Sequence, residues 1–360
     1  MSTPARNSDR ERVGTPEIGA PPSALPDPGS NMGAFAGVCR ILAFFLLVAG
    51  VALSINFTIN SGFRKIRTSQ PGVFNRLMAG EINADIVISG SSRAVVHFDP
   101  RIIQSATGLS AYNIGKNGSQ IDLQLAVLKS YLSHNTKPRL IIHSLDPYSF
   151  KTSREIYDVA QYIPYLQDQN IYEAVSSIYR DAWKWRMLPL YGYLVEDTRL
   201  TWLTGLRACF GYQPKEDHFL GHTPRHTAWT DDFATFKKHS PRGVAFEIET
   251  AGIQAVVEIV ALCRTNNVPL VFVFSPEYVE MQQMETNRAE IFSKFGEICA
   301  QGDVSLWDYS QNPISQRQEN FYNSQHLNAT GASAFTTDLA QKLVASGLLS
   351  RNSTEVQPKR

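Results

Sequence analysis

The first long apolar stretch of the chain runs from Ile41 to Ile59 and contains no charged residue. Its length matches the roughly 20 residues that cross a bilayer as a helix. A signal peptide would have a shorter apolar part starting close to residue 1, so the pattern favours one membrane-spanning helix at residues 38–60 over a cleaved leader or a buried core helix. The sequence contains no second run of this kind, and a single span is therefore predicted.

After this stretch, short apolar runs alternate with helical patterns. Apolar residues recur at helical spacing in segments such as Ile121, Leu125 and Leu128. Five runs rich in apolar and β-branched residues are predicted strands, at residues 84–89, 111–115, 139–145, 268–275 and 304–310. Continuous apolar strands separated by helices are typical of a parallel sheet covered on both faces. The pattern predicts an α/β domain at residues 66–350, with ligands bound beyond the carboxyl ends of its strands.

Three segments do not follow the alternation. Residues 1–33 are rich in Pro, Ser and Gly, and they are predicted to be disordered, as is the tail at 351–360. The insertion at about residues 150–245 is aromatic and is interrupted by Pro164, Pro189, Pro214 and Pro224. It is predicted to be a cap of short helices and loops beside the site. Its Tyr and Trp side chains either stack on sugar rings or form a small apolar core.

Charge and cysteine content exclude several classes of protein. The net charge is +1, which gives no basic face for nucleic acid. No C-x-x-C pair occurs, so a thiol metal site is not predicted. One pair of thiols would bridge in an oxidising compartment, although buried free thiols are the favoured interpretation. The four cysteines are Cys39, Cys209, Cys263 and Cys299.

Three histidines recur at every fourth residue, which is a metal-binding spacing on a helix. Gly221 and Pro224 interrupt any helix there, and no carboxylate or cysteine completes a ligand set. A surface loop is therefore predicted, and no metal. The sequence also lacks a phosphate-binding loop and a dinucleotide fingerprint, so no cofactor is predicted. The histidines are His218, His222 and His226.

Residues capable of chemistry follow four of the five predicted strands. Ser91 and Ser92 come after the first strand, in "SGSSR", where nearby N–H groups at a helix start stabilise an oxyanion. Gly118 comes after the second and permits close backbone approach. Asp146 follows the third, where it orients a substrate or holds the nucleophile loop, and His326 follows the last. Each of these residues is common at turns for structural reasons. A base needs only to lie within hydrogen-bond reach of the serine, so four such strand ends in this order favour a single active site.

Together these stretches resemble the SGNH/GDSL hydrolase superfamily, particularly its membrane-anchored bacterial members that handle acyl groups on envelope polysaccharides. "GSSR" matches the first block and places the nucleophile at Ser92. "YNIGKNGS" matches the second, with the oxyanion glycine at Gly118. The third block, usually Gly-x-Asn-Asp, departs, because "SLDPYS" has Asp146 near the expected Asn. "FYNSQHLNATGASAF" matches the last block, Asp-x-x-His, at His326 but has Asn323 in place of Asp.

The resemblance covers about residues 84–346 and implies a flavodoxin-like three-layer sandwich. It implies ester hydrolysis or acyl transfer through a serine ester, on acylated cell-envelope carbohydrate. It also implies a single-pass protein of the bacterial inner membrane, with the C-terminal domain in the periplasm or outside. The flanking charges favour the opposite orientation, since Arg40 precedes the span whereas Arg64 and Lys65 follow it.

Asn323 leaves three alternatives for the site. In a well-studied serine protease, replacing the triad carboxylate by an amide lowers kcat about 10,000-fold. In the first, Ser92 and His326 work as a dyad, and Asn323 or a backbone carbonyl orients the imidazole ring. In the second, another carboxylate such as Asp308 replaces the triad carboxylate. Otherwise the protein binds polysaccharide, or assists its assembly, without turnover. Retained esterase or acyltransferase chemistry is slightly favoured.

Overall fold

The computed structural model describes residue 19 and residues 28–194, 201–215 and 218–349. The chain divides after Val51 into two compact units. Helix α1 runs Pro28–Arg64, and its part Phe35–Arg64 is long and apolar enough to cross a membrane, a test that a signal sequence would also pass. Its large apolar side chains from Phe35 to Phe57 are exposed.

The apolar helix begins earlier than predicted. Residues 28–33, which we expected to be disordered, belong to α1, because proline is well suited to the first turn of a helix and no further proline occurs before Arg64. The remainder of the predicted N-terminal tail, except residue 19, and the tail at 351–360 lie outside the described residues.

The second unit contains a five-stranded parallel sheet. All five strands predicted from the sequence are confirmed. They are β1 (Ile86–Ser89), β2 (Ala111–Asn113), β3 (Leu140–Leu145), β4 (Leu270–Phe274) and β5 (Ser305–Asp308). Their spatial order is β2-β1-β3-β4-β5, which is the flavodoxin-like order. The sheet order reverses beside β1, so the crevice at this reversal lies next to the end of β1.

Helices cover both faces of the sheet and give the predicted three-layer sandwich. Alternate side chains of β1 enter opposite cores, since Val87 faces one and Ile86 and Ile88 face the other. The first core is covered by α2 (Ser69–Met78), α5 (Ile121–His134), α11 (Thr250–Thr265) and α13 (Arg288–Gly302). The second is covered by α3 (Ser92–His97), α4 (Pro100–Thr107), α12 (Val279–Met284) and α14 (Ala329–Ala345).

The described part of residues 150–245 consists of short helices, 3-10 turns and loops. A small apolar core lies between them and the C-terminal end of α1, where Tyr193 stacks on Phe63 with ring centroids 5.8 Å apart. The aromatic residues of the insertion therefore serve in part to build a core. The elements are 3-10 turns at Val159–Gln161 and Ile163–Tyr165, α6 (Gln169–Ile178), α7 (Ala182–Met187), α8 (Tyr191–Leu194), α9 (Thr201–Cys209) and α10 (Asp232–His239).

A hairpin that the sequence did not predict precedes the last helix. Strands β6 (Phe321–Asn323) and β7 (His326–Leu327) are antiparallel, and Asn323 pairs with His326. Strands of two and three residues are too short to show a periodicity. The Asn328 side chain then caps α14 by accepting the N–H groups of Thr330 and Gly331.

Removal of the Phe335 ring should destabilise the second unit. Phe335 is fully buried, and its ring contacts Phe98 and Tyr309 edge-on, with both centroid distances 5.1 Å. We expect Phe335→Ala to lower the free energy of unfolding by about 3–5 kcal/mol, because the core cannot fill the cavity. Val344 on the same helix is exposed, so Val344→Ala should change the free energy of unfolding by less than about 0.5 kcal/mol. Urea unfolding in detergent measures this free energy for both variants. Equal losses of stability in the two variants would contradict the assignment of Phe335 to the core.

Candidate active site

Ser92 stands at the carboxyl end of the central strand β1. The chain turns sharply at Gly90, where φ is +141°, and a Cβ there would lie 2.9 Å from the Ser144 side chain. Ser91 is the N-cap of α3, and its Oγ accepts the N–H of Arg93 at 3.1 Å. This places Ser92 as the first helical residue, at the crevice where parallel sheets bind ligands.

The hairpin brings His326 to Ser92, although the two residues are 234 positions apart in the sequence. Ser92 Oγ and His326 Nε2 are separated by 2.8 Å, which is a hydrogen-bond distance. The ring of Tyr322 stacks on the imidazole with centroids 5.4 Å apart. A general base must lie this close to the hydroxyl that it deprotonates.

Asn323 holds the other side of the imidazole. Its Oδ1 lies 3.0 Å from His326 Nδ1 and also accepts the backbone N–H groups of Gln325 at 3.1 Å and His326 at 2.9 Å. Two backbone donors fix this atom as the amide oxygen, because an NH₂ group cannot accept them. The ring nitrogen facing it must therefore carry a proton. His326 Nε2 is left with a lone pair toward Ser92, which is the tautomer a general base requires.

The surroundings of His326 disfavour its protonated form. Burial, together with the smaller effects of the positive charges of Arg93 and Arg225, lowers the pKa of His326 to about 3. The imidazole is consequently neutral near pH 7, and its resting state is ready to accept a proton. An amide supplies no negative charge to stabilise the imidazolium that forms later, so proton transfer is less favourable than with a carboxylate.

Three buried residues support the histidine from behind, and the sequence did not suggest them. The N–H of Leu327 donates to His97 Nε2 at 3.0 Å, and His97 Nδ1 lies 2.7 Å from Ser275 Oγ. Arg93 Nη2 donates to the backbone oxygen of Ser275 at 2.5 Å. Burial holds the pKa of His97 well below its usual value, so this ring stays neutral and keeps its acceptor. Their contacts are long-range, and no local spacing could have revealed them.

Asp146 is fully buried behind the nucleophile. Its Oδ1 lies 3.5 Å from Nε of Arg93, and neither side chain is exposed. Burial raises the pKa of Asp146 to about 6, against the opposing effects of the Arg93 charge and the nearby Ser91 hydroxyl. The sequence left two roles open for Asp146, which were to orient a substrate or to hold the nucleophile loop. These contacts fit the second role.

Gly118 and Gly115 lie on different sides of the loop after β2. Gly118 has φ +65°, and a Cβ there would lie 2.6 Å from Cβ of Tyr157 in the insertion. Gly115 packs against the nucleophile helix, where a Cβ would lie 2.8 Å from that of Ala94. A role for Gly118 in an oxyanion hole stays a prediction.

A cavity of about 250 Å³ opens beside the imidazole. Its apolar wall consists of Phe233, Phe236 and Met281, and its polar wall is the hairpin turn from Asn323 to His326, with Asp232 at the rim. An apolar group of a substrate would therefore find room next to the proposed base.

The other predicted sites have structural roles. Asp308 Oδ1 accepts the N–H of Ser310 at 2.8 Å, while Nδ1 of His326 contacts Asn323 instead. The prediction of a surface loop was wrong at His222, which is buried and whose Nδ1 lies 3.1 Å from the Val95 backbone oxygen. The reason is that a bridge between Phe219 and His222 closes a tight turn, and the N–H of Asn113 in β2 donates to the Leu220 backbone oxygen at 2.9 Å.

The described residues were compared with the usual requirements of metal and thiol sites. Among the described residues, no group of three His, Cys, Asp or Glu side chains could hold a metal ion. The four cysteines are free thiols, with Cys263 and Cys299 buried. Burial raises the pKa of Cys263 to about 12, so this thiol stays protonated.

Comparison with known proteins finds similarity to solved structures only. No family model and no curated protein matches the chain. Similar solved structures include a GDSL-like lipase from Bacteroides thetaiotaomicron, with 10% identity and a TM-score of 0.33, which covers 72% of this chain and 88% of that one. Another is an acetyl xylan esterase, with 10% identity and a TM-score of 0.35, covering 72% and 98%.

Because these identities are low and the TM-scores are below 0.5, we base the functional proposal on distances within the site.

Substitution of Asn323 by a carboxylate should raise the pKa of His326. We expect Asn323→Asp to raise it by about 1–3 units, because an anion beside the ring stabilises the imidazolium. The measurement is a ¹⁵N NMR titration of histidine-labelled protein in detergent, which also reports the tautomer. In the unmodified protein, the proton should reside on Nδ1 of His326. A proton on Nε2, or an unchanged pKa in Asn323→Asp, would contradict the contact with Asn323.

Proposed function

We propose that this protein is an SGNH-type serine esterase or O-acyltransferase, anchored in a membrane and acting on acylated cell-envelope carbohydrate. The main support is the 2.8 Å contact between Ser92 Oγ and His326 Nε2, with the tautomer held by Asn323. This arrangement provides a nucleophile, a base and a group that orients the base, which is the usual requirement for covalent catalysis by serine.

The reaction follows from the positions of these atoms. Ser92 Oγ attacks the acyl carbonyl carbon, and its proton moves to His326 Nε2. The carbonyl π electrons move onto oxygen, giving a tetrahedral oxyanion. When the bond to the leaving alkoxide breaks, His326 returns the proton to it, and the acyl group remains on Ser92. Water completes hydrolysis, or a sugar hydroxyl completes transfer, by the same steps in reverse.

The charges near the site act in two directions. Arg93 and Arg225 disfavour the imidazolium of His326. The same positive charges favour an oxyanion, because opposite charges attract strongly where water is excluded. The net effect partly compensates for the missing carboxylate, so slow turnover is expected rather than none.

Carbohydrate as the acyl carrier or acceptor is supported by the resemblance to envelope-polysaccharide enzymes and by the insertion. Trp183 is half exposed, and Trp202 is 36% exposed. Exposed indole rings of this kind stack on sugar rings. The competing hypothesis, a protein that binds polysaccharide without turnover, is supported by the amide at Asn323, and the activity test below separates the two.

Removal of the nucleophile should abolish activity. We expect the full-length protein in detergent to hydrolyse a short activated ester and to react covalently with a fluorophosphonate probe. Ser92→Ala should lower kcat by at least about 1,000-fold and prevent labelling, because no other group completes the serine–histidine pair. Ser333 is exposed on α14, so Ser333→Ala is the matched control and should retain full activity.

An unlabelled, inactive wild-type protein that still binds acylated polysaccharide would support the binding hypothesis instead. Activity that persists in Ser92→Ala would show that the nucleophile is misassigned.

Membrane anchoring with an external domain predicts the behaviour of reporter fusions. Alkaline phosphatase fused after residue 349 of the full chain should be active, and green fluorescent protein at the same position should be dark. Green fluorescent protein replacing the domain after residue 34 should be fluorescent, as the control for cytoplasmic location. The reverse result would indicate that the positive charges after the span decide the orientation.

A further inference from the structure

The turn after β3 lacks the side-chain amide that the sequence resemblance leads us to expect, and Tyr148 takes up the adjacent space. Its phenolic oxygen lies 3.5 Å from Ser91 Oγ, beside the nucleophile. We propose that Tyr148 is a catalytic residue whose O–H donates a hydrogen bond to the oxyanion of the tetrahedral intermediate. This inference rests on the proposed function and adds a hydrogen-bond donor for the substrate's carbonyl oxygen to the Ser92–His326 pair.

The backbone of the turn fixes where the phenol points. The N–H of Asp146 donates to Ser149 Oγ at 2.8 Å, and the N–H of Ser149 donates to the Asp146 backbone oxygen at 3.0 Å. The Asp146 side chain is tied to Arg93, which follows the nucleophile. The tyrosine and the serine are thus held by the same buried ion pair, so their separation is preorganised.

The phenol has no good partner in the resting site. An O–H···O hydrogen bond is normally about 2.5–3.0 Å long, so the 3.5 Å contact with Ser91 is weak. Ser91 Oγ is already engaged as the acceptor for the Arg93 N–H. A partly buried hydroxyl without a good acceptor is unfavourable, and an oxyanion forming between it and Ser92 would satisfy it. Donors that face the place where charge develops accelerate such reactions.

The phenol also remains protonated under working conditions. Burial raises the pKa of Tyr148 far above its usual value, and the nearby Asp146 carboxylate raises it further. The nearby Ser91 and Ser92 hydroxyls and the Arg93 charge oppose this shift only in part. Tyr148 therefore acts as a donor and not as a base, which agrees with the assignment of proton transfer to His326.

The proposed step requires no additional reactant. The bond from Ser92 Oγ to the carbonyl carbon forms, the serine proton goes to His326 Nε2, and the π electron pair moves onto the carbonyl oxygen. Tyr148 keeps its proton and shortens its hydrogen bond to that oxygen. On collapse, the double bond reforms, the leaving alkoxide takes the proton from His326, and the tyrosine hydrogen bond weakens again.

The test compares Tyr148→Phe with the full-length wild-type protein in detergent. We expect kcat for a short activated ester to fall about 100-fold, with KM nearly unchanged, because one oxyanion donor is lost. A boronic acid, which forms a tetrahedral adduct on serine, should lose affinity by a similar factor. A purely structural role would not produce this parallel loss. Tyr212 is an exposed tyrosine outside the site, so Tyr212→Phe is the matched control and should resemble the wild type.

Each of the following results would overturn the proposal. A kcat of Tyr148→Phe within about threefold of wild type would do so while leaving the proposed function intact. An unchanged affinity of the Tyr148→Phe variant for the boronic acid would also overturn the proposal. A wild-type protein that neither hydrolyses esters nor labels with fluorophosphonate would remove the proposed function and this inference together. Should Tyr148→Phe not fold, p-aminophenylalanine at position 148 keeps a weaker N–H donor. It should lower kcat about 10-fold, and an unchanged kcat would again overturn the proposal.

Discussion

One amide oxygen determines the state of the candidate site. Oδ1 of Asn323 accepts three N–H groups, two from the hairpin backbone and one from the His326 ring. The same atom therefore shapes the turn and selects the tautomer, so the imidazole has no freedom to rotate or exchange its proton position. In the serine protease with an Asp-to-Asn change, the amide selects the wrong tautomer. Here the backbone donors prevent that amide orientation.

Behind this contact lies a buried electrostatic framework. Arg93 connects the nucleophile helix to Asp146 after β3 and to Ser275 after β4. Breaking a buried ion pair by removing one partner costs about 3–5 kcal/mol, whereas an apolar replacement of both is often neutral. The pair is thus a weak source of stability, and we interpret it as a means of fixing relative positions. His97 extends the framework to the residue that follows His326.

The sequence was most informative where structure is local and repetitive. Continuous apolar runs predicted all five strands, and the strand ends predicted that Ser92 and His326 would share one crevice. It failed where contacts depend on tertiary packing. The burial of His222, the two-residue strand β7 and the role of Arg93 have no periodic signal. Asn323 stood out in the sequence, but its effect depends on the direction of its amide, which only the hairpin geometry reveals.

The 234-residue separation of the serine and the histidine has a consequence for synthesis. Ser92 is synthesised long before His326, because strands β2 to β5 and the helices between them separate the two residues in the sequence. A nascent chain therefore carries the hydroxyl without its imidazole partner. The Ser92–His326 pair can form only after β5, the last strand of the sheet, and the hairpin that follows it have been synthesised.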